Sequence, residues 1–259
     1  MRNVWQELSG LLLPVACAGC GRPRTELCAA CGAALLGGSA RRVRPSPTPP
    51  GLPAVYAAAP YENAVRAVLL AHKERGALGL AGALGRALAG CVRAGTGRLG
   101  AAADPSGAGP PRAAAPLLLV PVPSARSATA ARGHDPVRRI AVTAARELRR
   151  AGLPARVLPL LRQRRAVADQ AGLGARQRRA NLAGALELTA AGERLLRRGL
   201  VRHDRVILVD DLLTTGSTLA EAARAFGEGR GGDREPSVHG GCRAAVVAAS
   251  PSAFEINRN

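Results

Sequence analysis

Aromatic side chains are nearly absent from this sequence of 259 residues, which contains 1 Trp, 2 Tyr and 2 Phe. A core must therefore be built from Ala, Val and Leu, and a hydrophobic content of 47% supplies enough of them. The shortage of aromatic rings argues against proteins that bind single-stranded nucleic acid by stacking successive bases on such rings. Lysine is equally scarce. Lys73 is the only one, so the Gly-Lys-Ser/Thr ending of a Walker phosphate-binding loop is absent.

Long apolar runs are also missing, since none reaches the ~18 residues that a membrane-spanning helix needs. Residues 11–16 are too few for a signal peptide, Pro14 interrupts them, and Glu7 lies where a signal peptide carries positive charge. Cys17 and Cys20 lack the aliphatic residue three positions earlier that a lipoprotein site requires. We therefore expect a cytoplasmic protein without membrane insertion.

Acidic residues are far outnumbered, because 18 Asp and Glu face 37 Lys and Arg, which gives a formal net charge of +19. A surface of this charge suggests phosphates or nucleic acid as partners. Ala, Gly, Pro and Arg also share G/C-rich codons, so a G/C-rich genome would produce this composition without selection for DNA binding. Both explanations of the charge stay open.

The six cysteines include two Cys-x-x-Cys pairs that are separated by seven residues. Two such pairs can bring four thiolates to tetrahedral zinc distances, and the neighbouring glycines allow the tight turns that this requires. Disulfide bonds are the alternative, and a reducing compartment disfavours them. We therefore expect a structural zinc site, whose ligands are Cys17, Cys20, Cys28 and Cys31.

Composition divides the chain into a small N-terminal module and one larger domain. Residues 1–36 form the expected zinc-binding module, and 37–53 form a Pro-rich linker. The larger domain covers 54–250, and a tail follows at 251–259. Gly, Ala and Pro dominate residues 94–116, which we expect to be a disordered insertion in that domain.

Apolar runs alternate with helical periodicity along the larger domain, and this order predicts an α/β fold with a parallel sheet flanked by helices. The Arg-rich region 163–203 is expected to add at most one short strand, at 184–189. The other expected strands are 54–59, 117–122, 155–161, 206–209 and 243–249, and the expected helices are 61–72, 77–93, 136–150 and 219–226.

The segment VILVDDLLTTGSTLA, at residues 206–220, carries the clearest chemistry. Its apolar start suits a buried parallel strand, and two acids, Asp210 and Asp211, follow directly. A run of small and hydroxyl-bearing residues at 214–218 leads into a helix, so backbone N–H groups and the helix dipole would face an anion. Open α/β sheets bind ligands at this end of their strands. An ordinary strand-to-helix turn with solvated acids is the alternative.

A phosphate alone does not explain the two carboxylates, which would repel it. A sugar phosphate with a free cis-diol, or with a divalent cation nearby, explains both features. The segment resembles the motif with which type I phosphoribosyltransferases bind phosphoribosyl pyrophosphate (PRPP). This resemblance implies that Asp210 and Asp211 bind the ribose hydroxyls. It also implies a phosphate site made by Thr214, Thr215, Gly216, Ser217 and Thr218.

Further segments accompany this motif, and together with the cysteine pairs they resemble the ComF family. One is a Lys-x-x-Gly segment that begins at Lys73, and another is a Val-Pro-Val-Pro loop at 120–123. The third is a Gln…Arg-x-x-Asn hood, which here comprises Gln170, Arg178, Arg179 and Asn181. The resemblance implies a type I phosphoribosyltransferase-like sheet and PRPP bound with Mg²⁺. It also implies a role in DNA uptake during natural transformation, beside a helicase-like partner.

Two functions stay open within this resemblance. In a nucleic-acid-handling protein, the pocket would bind PRPP or a nucleotide end, and the hood and zinc module would contact single-stranded DNA. In an active phosphoribosyltransferase, an acceptor nitrogen would displace pyrophosphate. Residues 132–136 read Arg-Gly-His-Asp-Pro where the family commonly has Arg-Gly-Phe-Asn-Gln, so the loop near pyrophosphate differs in detail. The catalytic residues that the resemblance implies are Asp210, Asp211, Arg126, Arg132 and Lys73.

Overall fold

The structure is a computed structural model of the chain, and it has an α/β architecture with one six-stranded, mostly parallel sheet flanked by helices. A cluster of four cysteines lies near the N-terminus. The expected insertion at 94–116 falls mostly outside the described residues. The structure describes residues 15–97, 115–165, 167, 174–201, 203–228 and 242–257.

The described residues form strands and helices that alternate along much of the chain. The strands are β1 Arg41–Val43, β2 Val55–Pro60, β3 Leu117–Pro121, β4 Ala155–Val157, β5 Leu161–Gln163, β6 Leu186–Leu188, β7 Val206–Leu213 and β8 Arg243–Ala249. The α-helices are α1 Ala29–Leu36, α2 Asn63–Glu74, α3 Ala81–Thr96, α4 Arg126–Arg132, α5 Pro136–Arg150, α6 Ala175–Leu182, α7 Ala190–Arg197 and α8 Ser217–Glu228.

The main sheet has the strand order β1-β2-β8-β7-β3-β4, and only β1 runs antiparallel to its neighbour. β7 therefore lies inside the sheet, between β8 and β3. Its residues from Val206 to Val209 are fully buried, as expected for a parallel strand that is covered on both faces. β5 and β6 form a separate two-stranded antiparallel sheet.

Small side chains allow the helices to approach one another and the sheet closely. One face of the sheet packs against α2, α3 and α5, and the opposite face packs against α8. A Cβ atom on Gly85 of α3 would lie 2.5 Å from Cβ of Thr143 in α5, so this crossing has no room for a larger residue. The core is thus filled by close backbone approach, which explains how the chain folds with so few aromatic residues.

The region expected to be one strand at 155–161 is interrupted in the structure. β4 ends at Val157, and β5 starts at Leu161 and pairs with β6 instead of the main sheet. Pro159 lies between them, and proline has no N–H to donate to a neighbouring strand. The chain therefore leaves the main sheet here and enters the Arg-rich region, which contains α6 and α7 in addition to the single strand expected there.

The region expected to be a linker, 37–53, includes strand β1 at the edge of the main sheet. Val43 of β1 is buried, and the N–H of Arg44 donates to the carbonyl of Ala253 at 3.0 Å. The prolines begin only at residue 45, so residues 41–43 keep the N–H groups that a strand needs. Pro251–Asn257, in the expected tail, forms a 3-10 helix and buries Ala253. Of the helices described, none combines the length and the apolarity needed to cross a membrane.

Candidate functional site

The acid pair lies near the carboxyl end of β7, at the point where one neighbouring strand has already ended. β7 continues four residues beyond the expected end at Val209, because Asp210 and Leu212 still pair with β8. On the other side β3 ends at Pro121, which pairs with Val209. Asp210 and the residues after it therefore extend past the end of β3, and this difference in strand length opens a cavity beside the acids.

Lys73, in the last turn of α2, forms an ion pair with the acid pair. Its Nζ donates to Asp211 Oδ2 at 2.8 Å, and the Asp211 side chain is only 8% exposed. Burial opposes both charges, but the charge of Lys73 outweighs it and lowers the pKa of Asp211. Burial likewise lowers the pKa of Lys73, and the charges of Asp211 and Asp210 outweigh this effect and raise it.

Asp210 behaves differently from its neighbour. Burial raises the pKa of Asp210 well above its ordinary value, and the charge of Asp211 raises it further. Asp210 Oδ1 accepts a hydrogen bond from the backbone N–H of Asp211 at 2.8 Å. Two adjacent carboxyl groups thus differ in environment, since one has a cationic partner and the other does not ionise readily. Such a pair can accept hydrogen bonds from hydroxyl groups or hold a divalent cation that would neutralise both.

The loop after β7 leads directly into α8, which starts at Ser217, two residues before the expected start. Gly216 has φ of +77°, a conformation that residues with a side chain rarely adopt. Thr215 Oγ1 lies 3.1 Å from Ser217 Oγ, and Ser217 is buried. Thr214 and Thr218 line the cavity, so two hydroxyl groups beside the N-terminus of α8 are available to an anion there.

A cavity of about 400 Å³ brings most of these groups together. Its polar wall is formed by the acid pair, the loop after β7, and two cations from elsewhere in the chain. The residues concerned are Lys73, Arg132, Asp210, Asp211, Thr214 and Thr218. The cavity can therefore accept a ligand that has both anionic groups and hydroxyl groups. The structure thus brings Lys73 and Arg132 to the acid pair, although Lys73, Arg132 and the acid pair lie at least 59 positions apart in the sequence.

Arg132, the last residue of α4, faces this cavity but also has an acidic partner. Its NH1 donates to both carboxylate oxygens of Glu74, at 3.2 and 3.3 Å. The sequence gives no signal for this pair, because Glu74 is 58 residues away and lies on another helix. Arg126 is the first residue of α4, and its side chain lies outside the part of the structure that is described.

The hood residues are only partly brought to the site. Arg178, on α6, donates from NH1 to Thr214 Oγ1 at 3.3 Å, so it reaches the loop after β7. Arg179 is exposed, and Asn181 accepts a hydrogen bond at its carbonyl from Arg165. Gln170 lies outside the described residues. The neighbouring Gln163, which the sequence did not single out, lines the cavity.

The four cysteines of the two Cys-x-x-Cys pairs converge, as the spacing predicts. All four Sγ atoms lie within 4.8 Å of one another, and Cys20 Sγ is 3.6 Å from Cys28 Sγ. Zn–S bonds of about 2.3 Å in a tetrahedron place sulfur atoms about 3.8 Å apart, which is close to this arrangement. Cys17, Cys28 and Cys31 are buried, and Cys20 is exposed.

Backbone N–H groups point at these sulfur atoms, as they do in metal-binding turns. Burial raises the pKa of Cys17, but hydrogen bonds from the N–H groups of Cys28, Cys20 and Gly19 lower it to about 6. The N–H of Cys31 lowers the pKa of Cys28, whereas burial raises that of Cys31. A Cβ on Gly19 would lie 2.6 Å from Cys31 Sγ, so the turn requires glycine. The cluster could therefore hold a structural metal ion such as zinc.

Two histidines near the ion pair, of which His72 is buried and His134 is half-buried, were not foreseen from the sequence. The rings of His72 and His134 have centroids 6.1 Å apart, and His134 Nδ1 lies 3.0 Å from the carbonyl oxygen of Arg132. Both ring nitrogens of His72 are buried and have no hydrogen-bond partner among the described residues. His72 lies on the buried face of α2, at a position where the helical periodicity predicts an apolar residue. The sequence pattern therefore does not distinguish His72 from the apolar residues of that face.

Comparison with known proteins adds no relative to this description. No protein-family model matches the chain, and no curated protein matches it. The functional assignment therefore depends on the chemistry of the residues around the cavity and on the cysteine cluster.

Proposed function

We propose that the cavity beside Asp210 and Asp211 binds PRPP together with Mg²⁺, in a ComF-like protein with a type I phosphoribosyltransferase-like domain that acts in DNA uptake. The observation that carries the proposal is the convergence of an acid pair, a hydroxyl-rich loop and a helix N-terminus on one cavity of about 400 Å³. PRPP offers groups of matching chemistry, since it combines a phosphate, a cis-diol and a pyrophosphate on one sugar.

Each part of the ligand has a counterpart in the cavity. The loop 214–218 and the first turn of α8 would bind the 5-phosphate. Asp210 and Asp211 would accept hydrogen bonds from the ribose hydroxyls, and Mg²⁺ would reduce the repulsion between these acids and the pyrophosphate. Lys73 and Arg132 would neutralise the pyrophosphate on the other side of the cavity.

Calorimetric titration with PRPP and Mg²⁺ tests this proposal. A variant with both Asp210→Asn and Asp211→Asn keeps the side-chain size but loses both carboxyl groups, including the charge-assisted acceptor of Asp211. Each such hydrogen bond contributes roughly 1.5–3 kcal/mol, so PRPP affinity should fall at least about tenfold. Glu193→Gln, an exposed acid on α7, is the matched control and should bind PRPP like wild type. Wild-type affinity in the double variant would remove the main support for the proposal.

An active phosphoribosyltransferase is the second candidate, because two cations, Lys73 and Arg132, line the same cavity as the acid pair. In that reaction an acceptor nitrogen attacks C1 of the ribose, the bond from C1 to pyrophosphate breaks, and pyrophosphate leaves with the electron pair. The cations would stabilise the charge that develops on pyrophosphate. Incubation with PRPP, Mg²⁺ and a panel of nitrogen acceptors distinguishes the two. Steady pyrophosphate release with one acceptor supports the enzyme, and binding without release supports the DNA-uptake role.

Single-stranded DNA is the macromolecular partner in this proposal, and a helicase-like protein of the cytoplasm would deliver it. The net charge of +19 and the exposed arginines of α6 support a mainly electrostatic interaction. Arg178→Ala with Arg179→Ala should reduce the salt dependence of DNA affinity by up to about two units in the logarithmic slope. Arg149→Ala with Arg150→Ala, on α5, is the matched control for lost charge. DNA affinity that does not change with salt would assign the charge to codon composition.

A further inference from the structure

A second cavity, of about 450 Å³, is also lined by the ion pair between Lys73 and Asp211. The two cavities share Lys73, Asp211 and Leu212 as lining residues, so they adjoin directly. A ligand in the second cavity would thus lie next to the sugar of a ligand in the first. No motif in the sequence indicates this second cavity.

Its walls combine an apolar surface with four charged residues, and Arg178 is the one that has no salt bridge within the described part of the chain. One aromatic ring and three aliphatic side chains form an apolar surface in this cavity. They belong to Tyr61, Leu69, Leu70 and Leu212. A planar molecule with one ring or two fused rings fits this volume and this lining. The apolar lining of the cavity therefore favours a ligand that is flat and partly hydrophobic.

Two cations and two carboxylates line the cavity, and three of these four residues have a salt-bridge partner. Lys73 is paired with Asp211, and Glu74 is paired with Arg132. Arg178, which also lines the cavity, has no salt bridge to any carboxylate in the described part of the chain. Its Nε is buried and has no hydrogen-bond partner among the residues that the structure describes. Its exposed NH1 donates to the uncharged hydroxyl of Thr214 at 3.3 Å, so a ligand carboxylate would give this guanidinium an anionic partner and charge-assisted hydrogen bonds.

We propose that this second cavity is the acceptor site, and that it takes a planar aromatic or heteroaromatic compound bearing a carboxylate. The ring lies against Tyr61 and the leucines, and the carboxylate faces Arg178. This inference rests on the proposed PRPP site. A ring or amino nitrogen of the acceptor attacks C1 of PRPP, the bond from C1 to pyrophosphate breaks, and pyrophosphate takes the electron pair. The proton on the attacking nitrogen is released to water.

Benzoate and benzamide form a matched pair of probes, because they share size and ring and differ in charge. Neither has a ring nitrogen, so turnover does not complicate the binding measurement. We expect benzoate to bind wild type at least about tenfold more tightly than benzamide, as measured by ligand-observed NMR titration. Arg178→Gln should abolish this preference. Equal binding of both probes to wild type would overturn the assignment of a carboxylate.

A second variant tests the location of the site without removing a charge. Leu70 lines the second cavity but not the first, and it is 37% exposed, so Leu70→Trp fills the cavity at little cost in folding. We expect Leu70→Trp to abolish benzoate binding while PRPP affinity stays unchanged. Leu36→Trp, at a residue that is also 37% exposed and lies on α1, is the control and should bind benzoate normally. Normal benzoate binding by Leu70→Trp would overturn the proposal.

Titrations with and without PRPP separate this inference from the proposed function. If wild type does not bind PRPP but still prefers benzoate to benzamide, the PRPP site alone is contradicted. PRPP binding without benzoate selectivity would contradict the acceptor site alone.

Discussion

Lys73 Nζ donates to Asp211 Oδ2 at 2.8 Å, although the two residues are 138 positions apart in the sequence. This contact joins the last turn of α2 to the central strand β7 and forms the boundary between the two cavities. Lys73 is the only lysine of the chain. The ion pair therefore couples the stability of the last turn of α2 to the charge of Asp211 in the candidate site.

We predict that Lys73→Met destabilises the protein by about 1–3 kcal/mol, because the Asp211 carboxylate is left buried without its cationic partner. The variant should also raise the pKa of Asp211. Asp211→Asn alone should cost less, because Lys73 is 35% exposed and can turn to water. Urea unfolding of the two single variants and of the double variant measures the coupling between the residues. Additive effects of the two changes would show that the ion pair contributes nothing to stability.

Much of the fold follows from local sequence features. Helix α5 has the predicted bounds, Pro136–Arg150, because Asp135 caps it and Pro136 suits its first turn. Asp135 Oδ1 accepts a 3.0 Å hydrogen bond from the N–H of Arg138. Strand β8 also has the predicted bounds, since its apolar run is continuous. The cysteine cluster followed from spacing alone, because two Cys-x-x-Cys turns impose local geometry on all four sulfur atoms.

The features that the sequence did not predict depend on contacts between distant residues. β1 is only three residues long, and it becomes a strand because β2 offers an open edge. The ion pair between Glu74 and Arg132 joins two helices, and no periodicity in either one indicates the other. In the Arg-rich region, the side chain of Glu221 on α8 accepts a 3.0 Å hydrogen bond from the N–H of Leu186 in β6. Such tertiary bonds, more than local propensity, hold that region in place.

We predict that Gly19→Ala weakens metal binding at the cysteine cluster, because its Cβ would lie 2.6 Å from Cys31 Sγ. Wild type purified without added zinc should contain about one equivalent of metal, and the variant should contain less. Gly32→Ala is the control. Its Cβ would meet no atom closer than 4.0 Å, and alanine favours the helix α1 in which it lies. Full metal content in Gly19→Ala would contradict the geometry of the cluster.

We predict that Gly216→Ala destabilises the loop after β7 through both strain and crowding. Its φ is +77°, and a Cβ would lie 3.1 Å from the Leu52 side chain and 3.3 Å from Pro45. The crowding atoms belong to the proline-rich segment 37–53 and not to the cavity, so this segment packs against the loop. Gly184→Ala has a similar φ of +66° but open space around it, and it isolates the strain, which costs roughly 1 kcal/mol.

Chemical denaturation of the two glycine variants measures the difference between them. Gly216→Ala should lose more stability than Gly184→Ala, and adding Leu52→Ala should restore part of that difference. PRPP affinity should fall in Gly216→Ala only. Equal destabilisation by the two variants would show that Leu52 and Pro45 yield without cost.

We predict that His72 makes stability depend on pH between about 4 and 6.5. Burial lowers the pKa of His72 from 6.5 to about 4. The charges of His134 and Arg139 contribute to this lowering of the pKa, and the charge of Asp211 opposes it. Between these two pKa values the unfolded chain binds a proton that the folded chain does not. The stability contribution of neutral His72 is therefore complete above about pH 6.5, and it is lost as the pH falls toward 4.

His72→Leu removes the titrating group from a site that is only 1% exposed, so the variant should lack this part of the pH dependence. A lowering from 6.5 to about 4 corresponds to a loss on the order of 3 kcal/mol across the whole range. Urea unfolding of both proteins at pH 7, 6 and 5 measures the effect, because every carboxylate is shared and cancels in the comparison. Wild type should lose stability more steeply than His72→Leu below pH 6.5, because only wild type has a His72 side chain whose protonation favours the unfolded state. Parallel curves for the two proteins would mean that the folded chain accepts a proton on His72 as easily as the unfolded one.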